Sequence, residues 1–242
     1  MGPQLVIVPT YNEKENIALL IEKVMDVLPE THLLIVEDNS PDGTAAIVRR
    51  LMASYPGRLH MEEREGKQGL GTAYLHGFRW ALDHGYHFIF EMDADFSHNP
   101  EDLPSLLDAC LHDGFDMSIG SRYVNGVNVV NWPIGRVLMS YYASWYVRKV
   151  TGMPIQDTTA GFKCYTAPVL EKVMRRPVRF VGYAFQIDMK FRAWKYGFKI
   201  KEVPIIFRDR TMGQSKMSSG IFKEAFFGVM SMKIRSWFQN WE

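Results

Sequence analysis

The hydrophobic positions of the first half of the chain alternate between two periods. Short continuous apolar runs, Leu5-Val6-Ile7-Val8 and Leu33-Leu34-Ile35-Val36, read as buried strands. Between them Ile17, Leu20, Ile21, Val24, Val27 and Leu28 recur near the 3.6-residue helical period. A second helix is expected from about Thr44 to Tyr55, entered through Asp42-Gly43-Thr44, with Asp42 or Thr44 as its cap. A short strand near Leu59-His60-Met61 then precedes a glycine-rich loop, Gly66 to Gly71, which opens a helix reaching about Asp83. The strand Phe88–Met92, a helix from Leu103 to Leu111 and a strand at Met117–Gly120 complete this half. Strands alternating with helices at this spacing predict an α/β fold, a three-layer sandwich around a mostly parallel sheet.

The second half is less regular. A long apolar-aromatic helix is expected over Ile134–Val150, then a loop Gln156–Phe162 and a helix Gln186–Tyr196. Lys199 to Phe207 reads as two strand-like stretches broken at Pro204, and a last helix covers about Ile221–Trp237. No repeat or linker divides the chain. The expected organisation is one catalytic-sized domain, 1–220, followed by a C-terminal amphipathic helix within 221–242.

Ligands of such sheets bind beyond the carboxyl ends of the strands. Three polar segments fall there: Pro9-Thr10-Tyr11-Asn12-Glu13, Glu37-Asp38-Asn39-Ser40 and Asp93-Ala94-Asp95. Residues two apart on an extended chain face the same way. The carboxylates of Asp93 and Asp95 therefore make a hard-oxygen pair suited to Mg²⁺ or Mn²⁺, whose other ligands would come from substrate phosphates.

The formal net charge of +1 leaves no global field to recruit nucleic acid. Cys110 and Cys164, in apolar contexts, read as reduced core residues of a cytosolic protein, with a single disulfide as the alternative. Neither a signal peptide nor an uninterrupted apolar stretch of about 18 residues is present in this sequence.

Taken together, Pro9–Glu13, Val36-Glu37-Asp38-Asn39-Ser40-Pro41-Asp42-Gly43-Thr44, Gly66–Tyr74 and Met92–His98 resemble the GT-A glycosyltransferases of family 2. Within that group the chain is most similar to the dolichyl/polyprenyl-phosphate mannose synthases. Gly120-Ser121-Arg122-Tyr123, Asp157–Phe162 and Asp209–Lys216 agree with this. The resemblance spans roughly residues 4–218.

It implies transfer of mannose from GDP-mannose to a polyprenyl (dolichyl-type) monophosphate with inversion. A nucleoside pocket would come from Pro9, Tyr11, Glu13, Val36 and Asp38. Asp38, an acceptor-only carboxylate, suits the N1–H and amino group of guanine, the lesser alternative being a turn or capping residue ahead of Pro41. Asp93 and Asp95 would hold the metal against the diphosphate, with Ala94 beside the sugar. Some relatives carry Gln where this chain has Ser97, so a water would replace that ligand here. His98 is expected at the surface or behind the metal ligands rather than on the metal.

A lipid monophosphate, with a second pKa near ~6, is largely dianionic at neutral pH and needs cations rather than a base. Arg122, Arg136 and Arg210 are the candidate acceptor-phosphate residues, with Asp95, Arg122 and Arg210 as the catalytic set and Lys216 as a further cation for the donor. Asp157 would act as a base for a hydroxyl acceptor; with a phosphate acceptor it would orient an arginine or a loop, the role favoured here. Residues 211–219 are expected to form a loop that closes over the donor.

Aromatic and apolar residues beside basic ones, Tyr141, Tyr142, Trp145 and Tyr146 with Arg148 and Lys149, and Ile221, Phe222, Ala225, Phe226, Val229, Met230, Ile234 and Trp237 with Lys223, Lys233 and Arg235, suit contact with a membrane surface. The expected location is the cytoplasmic face of a membrane, peripherally bound, with a small anchoring subunit as an alternative means of attachment. The nearest rival is a polyprenyl-phosphate glucosyl- or N-acetylhexosaminyltransferase using a UDP-sugar. A sugar-1-phosphate nucleotidyltransferase would carry a basic Gly-rich loop after the first strand, where this chain has Pro-Thr-Tyr-Asn-Glu. A non-catalytic nucleotide-sugar binder would have no use for an arginine clamp.

Overall fold

A computed structural model describes residues 2–209 and 220–241. The first half follows the hydrophobic pattern: β1 (Gln4–Thr10), α1 (Ile17–Val27), β2 (His32–Glu37), α2 (Thr44–Met52), β3 (Leu59–Glu63), α3 (Leu70–Asp83), β4 (Phe88–Glu91), α4 (Leu103–Leu111) and β5 (Met117–Ser121). Then come β6 (Val129–Val130), α5 (Ile134–Thr151), β7 (Lys163–Thr166), α6 (Ala167–Met174), α7 (Tyr183–Lys195), β8 (Ile200–Pro204), β9 (Phe207–Arg208) and α8 (Gly220–Ser236).

Seven strands form one sheet in the order β3-β2-β1-β4-β7-β5-β8. All neighbouring pairs are parallel except those of β7, which runs antiparallel to both β4 and β5. The sheet is thus mostly parallel, as expected, but β7 and α6 were not anticipated. Lys163-Cys164-Tyr165-Thr166 has no apolar run, because it carries a buried lysine in the sheet interior.

Alternation along the strands divides the core between two faces. Leu5 and Ile7 of β1 pack beneath α3, α6 and α7 with Tyr74, Phe78, Tyr165 and Phe185. Val6 and Val8 of the same strand point the other way, into a layer with Ile17, Leu20, Ile35, Val48, Phe90 and Leu106. Each fully buried aliphatic of this kind contributes about 1.5–3 kcal/mol over leaving it in water. The C-terminal helix is part of this packing: Val229 and Met232 are buried in the α3–α7 layer, and Tyr146 of α5 stacks on Phe226.

β1 lies between β2 and β4, so the chain passes to one side of β1 first and to the other later. That reversal opens a crevice at the carboxyl ends of β1 and β4, where α/β sheets bind ligands. A separate two-stranded ribbon, β6 with β9, brings the segment after β5 against Phe207–Arg208 and so delivers Asp209 to the same region.

Candidate active site

The loops after β1 and β2 are stitched together by side chains accepting from backbone N–H groups. Ser40 Oγ accepts from Asn12 N at 3.0 Å, Thr44 Oγ1 from Glu13 N at 3.0 Å, and Asp42 Oδ2 from Lys14 N at 3.1 Å. Asp42 also takes the Thr44 N–H at 3.0 Å, so it fixes the entry to α2. Asn12, Asn39 and Phe96 have φ of 56°, 56° and 58°. All three lie just past the ends of the strands that line the crevice. Such backbone is uncommon for non-glycine residues, especially bulky ones, and it concentrates at functional sites.

Asp93 and Asp95 follow the end of β4. The Asp93 carboxylate receives the Tyr74 hydroxyl of α3 at 3.1 Å, and its backbone N–H donates to His98 Nδ1 at 3.0 Å. His98 therefore lies behind the acidic pair and not at the surface. It is buried, stacked on Phe162 at 4.9 Å, with Nδ1 as acceptor and the proton of its neutral ring on Nε2. Burial holds its pKa below the ordinary histidine value against the pull of Asp93 and Asp95. Asp95 Oδ1 accepts the Ser97 N–H at 3.1 Å across the Phe96 turn.

The Asp93 pKa is raised, chiefly by burial, with the neighbouring charge of Asp95 adding to it and His98 opposing it. A carboxylate destabilised in this way beside a second one fits a divalent cation, which would relieve the repulsion. Among the described residues no group of three or more His, Cys, Asp or Glu could hold a metal ion. The donor set thus fits Mg²⁺ or Mn²⁺ held by one or two carboxylates and completed by a diphosphate.

Behind the pair runs a buried polar network. Glu91, the last residue of β4, pairs with Lys163 Nζ at 3.0 Å and accepts from Tyr165 Oη at 2.7 Å and Gln186 Nε2 at 2.9 Å. Gln186 also receives the Lys163 ammonium. On the next turn of α7, Lys190 donates to the Ala160 carbonyl at 2.6 Å, and burial holds its pKa well below the ordinary lysine value. These contacts fix β4, β7 and the 157–162 loop beneath the crevice.

The remaining expected residues are placed as follows. Arg122 is buried, its Nε and Nη2 each 2.6 Å from the two oxygens of Asp157, with Nη2 also 2.7 Å from Thr159 Oγ1. Its guanidinium lies among the rings of Tyr123, Trp132 and Phe207. Burial alone would raise the Asp157 pKa, but the Arg122 charge and hydrogen bonds hold it below the usual carboxylate range. Arg136, at the start of α5, is half-buried; it pairs with Asp209 at 2.8 Å and stacks on Trp132 at 4.1 Å. Arg210, Lys216 and the loop 211–219 lie outside the described residues.

On the nucleoside side, Tyr11 is half-exposed beside Lys67, whose Nζ sits 5.4 Å from the ring centre. Glu13 accepts from Asn16 at 3.1 Å, and Pro9 and Ala94 line the ends of β1 and β4. Two of the expected nucleoside residues are engaged within the protein. The Val36 side chain is fully buried against Gly77 of α3, so it supports the crevice from below and does not face it. Asp38 already has a bidentate partner, Arg64, at 2.6 and 2.8 Å. Arg64 in turn reaches Thr72 Oγ1 at 3.0 Å, tying β3 to the start of α3. Arg64 and Tyr74 are the site residues that sequence reasoning passed over. A single arginine within Glu62-Glu63-Arg64-Glu65 gives no signal of that role, and Tyr74 reads as an ordinary core position of a helix.

Residues 5–174 match the family described as Glycosyl transferase family 2. The chain belongs to that family. This family 2 glycosyltransferase is 48% identical over 231 residues to a protein named polyprenol monophosphomannose synthase from Mycolicibacterium smegmatis, covering 96% of this chain and 87% of the relative. It is 45% identical over 225 residues to an undecaprenyl-phosphate mannosyltransferase from Micrococcus luteus, covering 93% and 91%. Among solved structures it is similar to glucosyl-3-phosphoglycerate synthase from Mycobacterium tuberculosis in complex with Mn²⁺, UDP and glucosyl-3-phosphoglycerate. That match has a TM-score of 0.70 at 17% identity, over 96% of this chain and 80% of that one. A structure of the same synthase with Mg²⁺ and UDP gives 0.69 at 17%, over 96% and 79%. At that identity the likeness is one of fold, and it places this family 2 glycosyltransferase among GT-A folds.

Proposed function

We propose that this glycosyltransferase moves a mannosyl group from GDP-mannose to a polyprenyl monophosphate with inversion at the sugar carbon, releasing GDP. The supporting observation is the Asp93/Asp95 pair at the end of β4, facing the stitched loops of β1 and β2, in a chain nearly half identical to two polyprenyl-phosphate mannosyltransferases. Asp93 and Asp95 would hold Mg²⁺ or Mn²⁺, as the solved relatives' complexes with either ion suggest. When bound, the ion acts as a Lewis acid on the phosphoryl oxygens of the departing nucleotide.

The chain's own residues supply positioning. Pro9, Tyr11 and Glu13 would border the nucleoside. Asp38, with two acceptor positions committed to Arg64, keeps further lone pairs for a base N–H. The acceptor phosphate attacks as a dianion, so no carboxylate base is needed. Asp157 suits that reading, since both its oxygens are spent on Arg122 and its depressed pKa makes it a poor proton acceptor. Arg136, half-buried at the start of α5, is more open than the buried Arg122, and with it Arg210 and Lys216 would complete the cationic set.

The prenyl tail would run along a membrane surface. No helix among the described residues is long and apolar enough to cross a membrane. α5 and α8 instead expose apolar faces, with Ile134 at 73% and Phe227 at 67%, and Phe238 just beyond α8 is 84% exposed. Such faces suit attachment in the lipid interface at the cytoplasmic side.

The test is a transfer assay with Mg²⁺ or Mn²⁺, a short polyprenyl phosphate, and labelled GDP-mannose or UDP-glucose in parallel. Label reaching the lipid from GDP-mannose alone is the expected outcome. Label from UDP-glucose alone overturns the donor assignment. Transfer from neither, unless an added membrane-anchoring subunit restores it, overturns the reaction.

A further inference from the structure

On the side of the molecule formed by α6, α7 and α8, away from the acidic pair, lies a second cavity of about 260 Å³. Four arginines line it, Arg176, Arg179, Arg192 and Arg235, against one carboxylate, Asp188. Phe180, Phe191 and Trp241 supply apolar wall. In a chain whose net charge is +1, this concentration of guanidinium is local and specific.

The four arginines divide into two kinds. Arg192 is pinned: it pairs with Asp188 at 2.9 Å and donates to the carbonyls of Val173, Arg176 and Pro177. Arg176 is committed to the Asn240 carbonyl at 2.8 Å, where it closes the chain's end over the cavity. Arg179 and Arg235 face the same space from the 175–182 segment and from α8, and neither side chain has a hydrogen bond or ion pair among the described residues. Two rigid cations thus form the wall, and two exposed forks converge on its opening, Arg179 and Arg235, of which Arg235 also acts through its charge on Asp188. Arginine forks grip phosphate bidentately, and the cavity is large enough for such a group.

Arg235 lies on the last turns of α8 beside Trp237 and Phe238, which are 68% and 84% exposed. The turn that carries Arg235 into the cavity therefore continues directly into exposed aromatic surface. That juxtaposition fits an amphiphile better than a free ion. We propose that the Arg176/Arg179/Arg192/Arg235 cavity binds the phosphate of an anionic lipid headgroup, with the acyl chains passing beside Trp237 and Phe238. The cavity would orient the enzyme on an anionic bilayer, a function separate from donor and acceptor binding.

The experiment uses the full chain and phosphatidylcholine vesicles with and without phosphatidylglycerol, read by co-sedimentation. The variants are Arg179→Gln with Arg235→Gln, the same pair changed to Lys, and Lys23→Gln with Arg50→Gln as an equal charge change on the exposed surfaces of α1 and α2, across the sheet. Wild type is expected to prefer the anionic vesicles. The Gln pair should lose about 30-fold of that affinity, at about 1 kcal/mol per basic residue at an anionic surface. The Lys pair should lose part of it, and the Lys23/Arg50 pair little.

Equal losses in the two Gln pairs, or no loss in the Lys pair, would mean diffuse attraction and overturn the site. Soluble glycerol phosphate that raises the thermal midpoint and blocks vesicle binding would mean a free phosphate ester and overturn the lipid assignment. Arg179 and Arg235 are exposed, and Arg235 acts on Asp188 through its charge alongside the direct Arg192 pair, so thermal midpoints should stay close to wild type. Transfer to a short acceptor in detergent should also be unchanged in the Gln pair, so failure of the proposed reaction and failure of this site give different results.

Discussion

The Asp157 carboxylate holds the Arg122 guanidinium through two bonds of 2.6 Å and receives the Arg122 backbone N–H at 3.0 Å, with the Asp157 side chain fully buried. One residue thereby fixes both the main chain and the side chain at the end of β5. A buried ion pair of this kind is costly to break on one side, because the remaining charge is left in a poor solvent.

Asp157→Asn should accordingly destabilise the protein by about 3–5 kcal/mol in urea unfolding. The pH dependence carries a sign that checks the cause. The folded-state pKa of Asp157 lies below the unfolded value, so the stabilisation is fully present above the unfolded carboxylate pKa of about 4 and fades as pH falls through the lower folded value. Wild type should lose this contribution on acidification, and the difference between wild type and Asp157→Asn should shrink over the same range. A difference that stays constant down to pH ~2 would remove the ion pair as its origin.

Asp95→Ala separates catalysis from folding. The side chain makes a turn bond to Ser97 N, worth about 1 kcal/mol, so the variant should stay folded. Loss of one of the two carboxylates proposed to hold the metal should lower transfer by about a thousand-fold or more, since such an ion supplies several kcal/mol to the barrier. Full transfer in this variant, at the same metal concentration, would sink the metal assignment.

What the sequence made legible followed from repeated local rules. Leu5–Val8, Leu33–Val36 and Phe88–Met92 are apolar runs between turn residues, and each became a central strand with chemistry at its carboxyl end. The adjacency of Asp93 and Asp95 at the end of β4 was legible because their spacing is local. β7 was not, because its Lys163 is compensated by Glu91 and Gln186, which are distant in sequence. Arg64 and Tyr74 were missed for the same reason: their partners, Asp38 and Asp93, are 26 and 19 residues away. Cys110 and Cys164, 54 residues apart, likewise meet only in the fold, with Cys110 Sγ 3.9 Å from the Cys164 carbonyl and both thiols free.

Gly77→Ala tests how tightly α3 lies on the sheet. A Cβ at Gly77 would come within 2.6 Å of Ile7 Cγ2 and 3.4 Å of Val36 Cγ2, both in fully buried side chains. Alanine favours a helix over glycine by about 1 kcal/mol, but overpacking a rigid core typically costs about 1–3 kcal/mol. A methyl group this close to a central strand should put the balance on the destabilising side. The urea midpoint should fall with an unchanged slope; a rise would mean that α3 lifts off the sheet at little cost.

Tyr74→Phe should weaken metal use without unfolding the chain. The Tyr74 ring is fully buried and lies parallel to Phe185 at 6.2 Å, and phenylalanine would keep that packing. Only the hydroxyl that donates to Asp93 at 3.1 Å is lost. Burial and the charge of Asp93 hold the phenol well above its ordinary pKa, so it is a proton donor at every working pH. Groups that orient a metal-binding carboxylate typically contribute about 10–100-fold to metal affinity. The metal concentration for half-maximal transfer should rise by that factor, while the rate at saturating metal falls much less. A merely structural role for the hydroxyl would instead lower the thermal midpoint and leave the metal titration where it was. Rescue separates the two readings: excess Mn²⁺ should restore transfer to Tyr74→Phe but not to Asp95→Ala, where the ligand itself is gone.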